Sequence, residues 1–216
     1  MKKISYFLII LGILLIAFPQ LNKIYNNYQK DKIMKDWQKS MNTISVTDKK
    51  EQTSNNTRKS TNQISDNSSN EIKDTKEIVK KQEKKDNMKN ILKIDKIDLK
   101  LPVLNGATEK NLDISVAKMN HTSNPGEAGN YAIAGHRSYT YGKQFNRLNE
   151  IEKGDEIEVI TSEGLMKYKV TKKFLVDPED VWVLDGNNKD KIITLITCHP
   201  IRIASHRLII RGELVE

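Results

Sequence analysis

A chain of 216 residues holds one ordinary domain with room for additional segments. Lysine and arginine total 36 against 28 acids, a formal charge of +8, but the lysines are spread along the chain with no aromatic-interleaved patch; that argues against nucleic acid and for attraction to an anionic cell envelope. A single cysteine, Cys198, excludes an internal disulfide and is either a functional thiol or an inert buried one.

Met1-Lys2-Lys3 is a short basic start, and Ile4 to Leu21 follows without a charge, just long enough to span a bilayer. Ala17-Phe18-Pro19-Gln20 lacks the small-x-small pattern of signal-peptide cleavage. Residues 1–22 are therefore expected to be a retained signal-anchor helix rather than a cleaved leader. Lys2 and Lys3 favour an inside N-terminus, although Lys23 and Lys30 make charge alone a weak guide to orientation. Residues 23–90 are expected to form a polar, largely disordered linker. Tyr25 to Trp37 has the pattern to continue as a helix, whereas 40–70 has almost nothing to bury. Such a spacer would let a following domain reach across the inner wall zone.

From Ile91 the pattern changes to short strands, and 91–216 is taken as one all-β domain. Ile91–Ile94 and Leu99–Leu104 are the first two, with Pro102 suggesting an edge position. Thr108-Glu109-Lys110-Asn111-Leu112 has the pattern of a capped helical turn, and Asn124 to Gly129 that of a loop. Tyr131–Ala134 is a buried strand, and Phe145–Leu148 a second helical turn. Glu156–Ile160 alternates, Ser162-Glu163-Gly164 turns the chain, and Met166–Val176 returns as the hairpin partner. Val181–Leu184 is a further short apolar stretch. Roughly eight short strands with few helices predict a closed barrel, since closure removes exposed edges.

The chemistry gathers at the last two strands. Ile192-Ile193-Thr194-Leu195-Ile196-Thr197-Cys198 is a β-branched run that Pro200 stops, and His206–Arg211 follows after a short connection. Antiparallel pairing would make Cys198 and Arg207 neighbours, and a guanidinium beside a thiol stabilises a thiolate or the oxyanion formed by its attack. A lone cysteine in an apolar strand is most often a small buried hydrophobe. Against that reading, Cys198 stands at the strand's end and a base is available. The chain has four histidines. His199 and His206 suffer from strand parity, His121 falls in a loop, and His136 ends the Tyr131 strand after a glycine. On the residues alone His136 is only the best of four.

Ala134-Gly135-His136-Arg137, Thr194-Leu195-Ile196-Thr197-Cys198 and the His206-to-Gly212 run together resemble a sortase, a cysteine transpeptidase of Gram-positive surfaces. The resemblance covers about residue 91 to the C-terminus and is greatest to class D, or its close class A relatives. It implies an eight-stranded barrel, Cys198 as nucleophile, His136 as acid and base, Arg207 on the oxyanion or a substrate carbonyl, and Thr197 lining the groove. It also implies cleavage of a Leu-Pro-x-Thr-Gly-like sorting signal at Thr–Gly through a thioacyl-enzyme, and transfer to an amine of a peptidoglycan precursor. The clients would be surface proteins bearing that signal, with the enzyme single-pass in the cell membrane and its catalytic domain outside.

Arg211 is expected to be a solubility charge. Pilin-assembling sortases carry an Asp-Pro-aromatic lid; Asp36-Trp37 lacks the proline and lies too early, so a wall-anchoring role without a lid is expected. The loop before His136 offers Glu127 and little else, so no calcium site is expected, nor any other metal or cofactor. Two rivals remain. An L,D-transpeptidase would want Ser-His-Gly-Cys, and Cys198 has Ile-Thr before it. A non-enzymatic surface-binding barrel would need an inert Cys198.

Overall fold

The computed structural model describes residues 88–215 and, ahead of them, 12, 20, 21, 24–36 and 38. The strands are β1 (Met88–Ile94), β2 (Leu99–Asn105), β3 (Val116–Lys118), β4 (Gly129–Ala134), β5 (Glu156–Ile160), β6 (Leu165–Val176), β7 (Lys191–His199) and β8 (His206–Leu214). They form a closed barrel in the order β1-β2-β3-β4-β7-β8-β6-β5, and β1 closes it by pairing with both β2 and β5. Two neighbouring pairs, β2–β3 and β4–β7, run parallel; the others are antiparallel.

Alternation along the strands fills the interior. Tyr131 and Ile133 of β4, Ile157 and Val159 of β5, Ile193 and Leu195 of β7, and Leu208 and Ile210 of β8 meet in one core. Their even- or odd-numbered neighbours face outwards, and the site is built there. The expected β5–β6 hairpin is present: Gly164, at φ +137°, takes a conformation other residues rarely adopt, and its carbonyl accepts from the Thr161 N–H at 2.9 Å. The helix Glu109–Ile114 starts where the sequence placed it, with Thr108 Oγ1 accepting from the Asn111 N–H at 3.3 Å.

Three expectations change. The eighth strand is Val116–Lys118, which no sequence pattern marked, whereas Val181–Leu184 is a turn of 3-10 helix. Pro102 is not on an edge strand. It pairs with Ile91 on one side, and on the other the β2–β3 ladder begins only at Val103, so the missing N–H breaks no pairing. The polar segment ahead of the barrel is not all spacer either. Residues 24–36 are helical, Ile33 packs on a cluster that includes Leu104, Ala117, Leu112 and Ile114, and Lys143 Nζ donates to Asn27 Oδ1 at 3.3 Å.

The expected membrane span, Ile4 to Leu21, lies outside the described residues except at 12, 20 and 21, and the 40–70 stretch lies outside them entirely. Among the described residues no helix is long and apolar enough to cross a membrane.

Candidate active site

On the outer face of the barrel the register stacks side chains into three rows across β4, β7, β8 and β6. Ala132, Thr194, Arg211 and Lys172 form the first row. Ala134, Ile196, Ile209 and Phe174 form the second. Cys198, Arg207 and Val176 form the third, and β4, which ends at Ala134 opposite Ile196, leads into His136 two residues later. The register therefore makes Cys198 and Arg207 neighbours, and His136 follows the end of the strand that lies beside β7.

Local packing fixes that end of β4. The Gly135 N–H donates to the Ile196 carbonyl at 3.1 Å, so the β4–β7 ladder continues one residue beyond the strand proper. A Cβ on Gly135 would lie 2.7 Å from Phe145 and 2.8 Å from Val116, so only glycine lets the chain approach the core this closely before turning His136 outwards.

Cys198 is half-buried and His136 exposed. His136 Nε2 lies 3.8 Å from Asp113 Oδ1, a residue of the Glu109–Ile114 helix that the sequence did not single out. Arg207 Nη1 donates to the carbonyls of Ala204 and His206, both at 3.1 Å; among the described residues its other guanidinium nitrogens are not engaged.

Thr197 does not line the groove with its side chain. It is 2% exposed, turned to the opposite face from Cys198, and its hydroxyl donates to the Gly135 carbonyl at 2.8 Å. The other histidines are elsewhere. His199 also faces away from Cys198, with Nδ1 2.6 Å from Arg137 Nη1; the guanidinium can only donate, so that nitrogen carries the lone pair. Burial, then the charges of Arg137, His206 and Lys173, hold the His199 imidazole below the usual histidine pKa. His206 contacts Ser205 Oγ and lies 3.7 Å from Asp177, and His121 is exposed on a loop at φ 60°.

The sortase-domain family model matches residues 92–215, more than half of the chain, a span that includes His136, Cys198 and Arg207. The chain belongs to the sortase family. It is 37% identical over 124 residues to sortase A of Bacillus anthracis, covering 57% of this chain and 58% of that protein. It is 31% identical over 128 residues to sortase D of Bacillus subtilis, covering 58% and 63%. The chain thus spans less than two thirds of these curated relatives. Among solved structures, the Clostridium perfringens sortase D5 transpeptidase aligns with a TM-score of 0.56 at 28% identity, covering 65% of this chain and 89% of that one. Sortase C1 of Streptococcus agalactiae aligns at 0.57 and 28%, covering 60% and 70%.

In this sortase domain the connection between β6 and β7 roofs the middle row. Val183 packs with Val176 and Ile209, and Leu184, Phe174 and Ile196 adjoin them. The Val183 carbonyl accepts from Asn130 Nδ2 at 2.9 Å and from Arg211 Nη2 at 2.8 Å. Arg211 is therefore not a free solubility charge: it is half-buried, and burial lowers its pKa. Trp182 stacks on Phe174 at 5.8 Å and 7°.

Proposed function

We propose that this chain is a membrane-anchored cysteine transpeptidase that cleaves a Leu-Pro-x-Thr-Gly-like sorting signal between Thr and Gly and joins the surface protein to a cell-wall precursor amine. The observation that carries the reading is the outward Cys198–Arg207 pair at the end of an apolar strip, with His136 just past the end of the neighbouring strand β4. Ile196 and Phe174 of that strip, both only partly buried, suit the apolar Leu-Pro end of such a signal.

In this reading Cys198 Sγ, its proton held by His136, attacks the threonyl carbonyl carbon as the thiolate, and the oxygen that becomes negative meets the free edge of the Arg207 guanidinium. As the tetrahedral species collapses, the C–N bond breaks and His136 gives a proton to the departing glycyl amine, leaving a thioester on Cys198. An acceptor amine then attacks the thioester, loses its proton to His136, and releases Cys198. Class D, or the close class A relatives, and a wall-anchoring role rather than pilin assembly belong to the same proposal. So does placement at the cell membrane with the catalytic domain outside, supported by the uncharged Ile4–Leu21 run.

The test is incubation of the full chain with sorting-signal peptides and amine acceptors, read by mass spectrometry. A ligation product cut at Thr–Gly is expected, with a thioester adduct of matching mass on Cys198. A Cys198 that thiol reagents fail to label, together with no turnover of any peptide in the set, would instead favour a binding barrel.

A further inference from the structure

His136 and Cys198 occupy a place where the backbone ladder has run out. The last β4–β7 backbone bond is Gly135 N–H to the Ile196 carbonyl. Beyond it the chain leaves β4 for the loop toward Phe145, whose N–H donates to the His136 carbonyl at 3.1 Å, while β7 ends at His199. Two side-chain bonds take over from the ladder. Thr197 Oγ1 donates to the Gly135 carbonyl at 2.8 Å, one residue before the pair; Arg137 Nη1 meets His199 Nδ1 at 2.6 Å, one residue after it.

Strand parity puts Thr197 and His199 opposite the outward Cys198, and Arg137, past the end of β4, joins that side through its contact with His199. The Arg137–His199 contact is itself anchored. Arg137 Nη2 donates to Asn149 Oδ1 at 2.7 Å, and Lys173 Nζ donates to the Asn149 carbonyl at 2.7 Å and to Glu152 at 2.6 Å. The contact therefore ties the exits of β4 and β7 to the Leu148–Glu150 turn and to β6. The arrangement costs stability: among the described residues the buried Arg137 Nε has no hydrogen-bond partner, and the hydrogen-bond acceptors on its other nitrogens are a neutral imidazole and an amide. A surface arginine added for solubility would not be held this way.

We infer that Arg137 and His199, with Thr197, are positioning residues that bracket the catalytic pair from beneath and hold His136 at proton-transfer distance from Cys198. The inference rests on the transpeptidase reading above. None of the three is a catalytic residue; each acts through the backbone of its neighbour. His199 serves as a neutral acceptor, so a side chain offering an oxygen at the same place should substitute for it, and one offering none should not.

The experiment compares full-chain Arg137→Met, His199→Leu, their double variant, His199→Asn and Thr197→Val with wild type, each normalised to its titratable Cys198 thiol. Misplacement of the pair should lower kcat by about ten- to a hundredfold in Arg137→Met and His199→Leu with KM little changed. The double variant should be no worse than either single, since both break one bond. His199→Asn should recover most of kcat, and Thr197→Val should lose kcat in the same manner. Single variants with wild-type kcat, losses that add in the double variant, or losses confined to KM would overturn the inference. If Arg137→Met or His199→Leu does not fold, Thr197→Val and His199→Asn decide it on the same criteria. Failure of the wild type itself to cleave any signal peptide would count against the proposed function, not the bracket.

Discussion

Cys198, Arg207 and His136 stand out in the sequence because each lies at or just past a strand end. An apolar run ending in Cys-His-Pro, a Gly-His pair and an Arg at a strand start are local signals. The consequences are sharp for the proposed chemistry. Cys198→Ala should abolish cleavage and transfer together, since the chain has no other thiol. His136→Ala should keep an alkylatable thiol yet lose ~10²–10⁴-fold in turnover. Arg207→Lys should lose ~10²–10³-fold, because an ammonium cannot reproduce the planar fork. Steady-state kinetics on thiol-normalised protein measures all three, and a Lys variant at wild-type rate would remove Arg207 from the oxyanion. Parity predicted that His199 would face away from Cys198, but not what it would meet there: its partner Arg137 is 62 residues distant, and no local pattern reports such a pairing. That partner gives a pH prediction. Burial and the facing cations Arg137, His206 and Lys173 hold the folded His199 below its ordinary 6.5, so the unfolded chain binds the proton more readily. The stability that neutral His199 contributes is whole above 6.5 and is lost as pH falls through its folded pKa. The melting temperature of wild type should therefore fall more steeply on acidification than that of His199→Asn; parallel curves would show that His199 carries no such linkage.

Elements were easier to find where their period was long enough to see. β5, β6, β7 and β8 each had several alternating or continuous apolar positions. Val116–Lys118 has three residues and pairs in parallel with β2, so neither length nor a hairpin turn announced it. Val181–Leu184 has strand-like composition yet coils, because its apolar side chains pack down on β6 and β8 instead of joining a ladder. What holds that coil is polar and non-local. Asn130, itself 2% exposed, donates to the Val183 carbonyl and accepts from Thr194 Oγ1 at 2.8 Å, while Arg211 reaches the same carbonyl. Arg211→Ala should release the roof over the apolar strip. A hydrogen bond from a charged donor is worth ~1.5–3 kcal/mol, and its loss should appear as a lower melting temperature and a raised KM for the sorting peptide. The kcat should hold, because Cys198 and Arg207 lie four residues along β7 and β8 from Thr194 and Arg211. An unchanged KM would mean that the β6–β7 connection stands without this bond.

At the scale of the whole molecule, seven of the eight strands were visible in the sequence and the strand order was not. The sequence contains no mark that β1 pairs with β5, or that β4 lies beside β7, since both pairings join segments more than fifty residues apart. Closure nevertheless governs what a catalytic fragment must contain. β1 is hydrogen-bonded on both sides, and Ile91, Leu92 and Ile94 are fully buried. A chain beginning at residue 95 would leave β2 and β5 as open edges over an uncovered core, and should fail to unfold cooperatively. A chain beginning at residue 84 keeps β1 entire and should fold, but it lacks residues 24–36 and with them the contact of Ile33 on Leu104, Ala117 and the Glu109–Ile114 helix. Complete burial of such a side chain is worth ~1.5–3 kcal/mol, and Ile33 is only partly covered, so the loss should be about 1 kcal/mol. Ile33→Asp in the full chain should reproduce the drop, since a carboxylate cannot replace that apolar contact. Thermal unfolding of the four proteins decides the matter. Equal melting of the full chain, the 84–216 fragment and Ile33→Asp would show that the helix adds nothing to the barrel, and a folded 95–216 fragment would show that closure by β1 is dispensable.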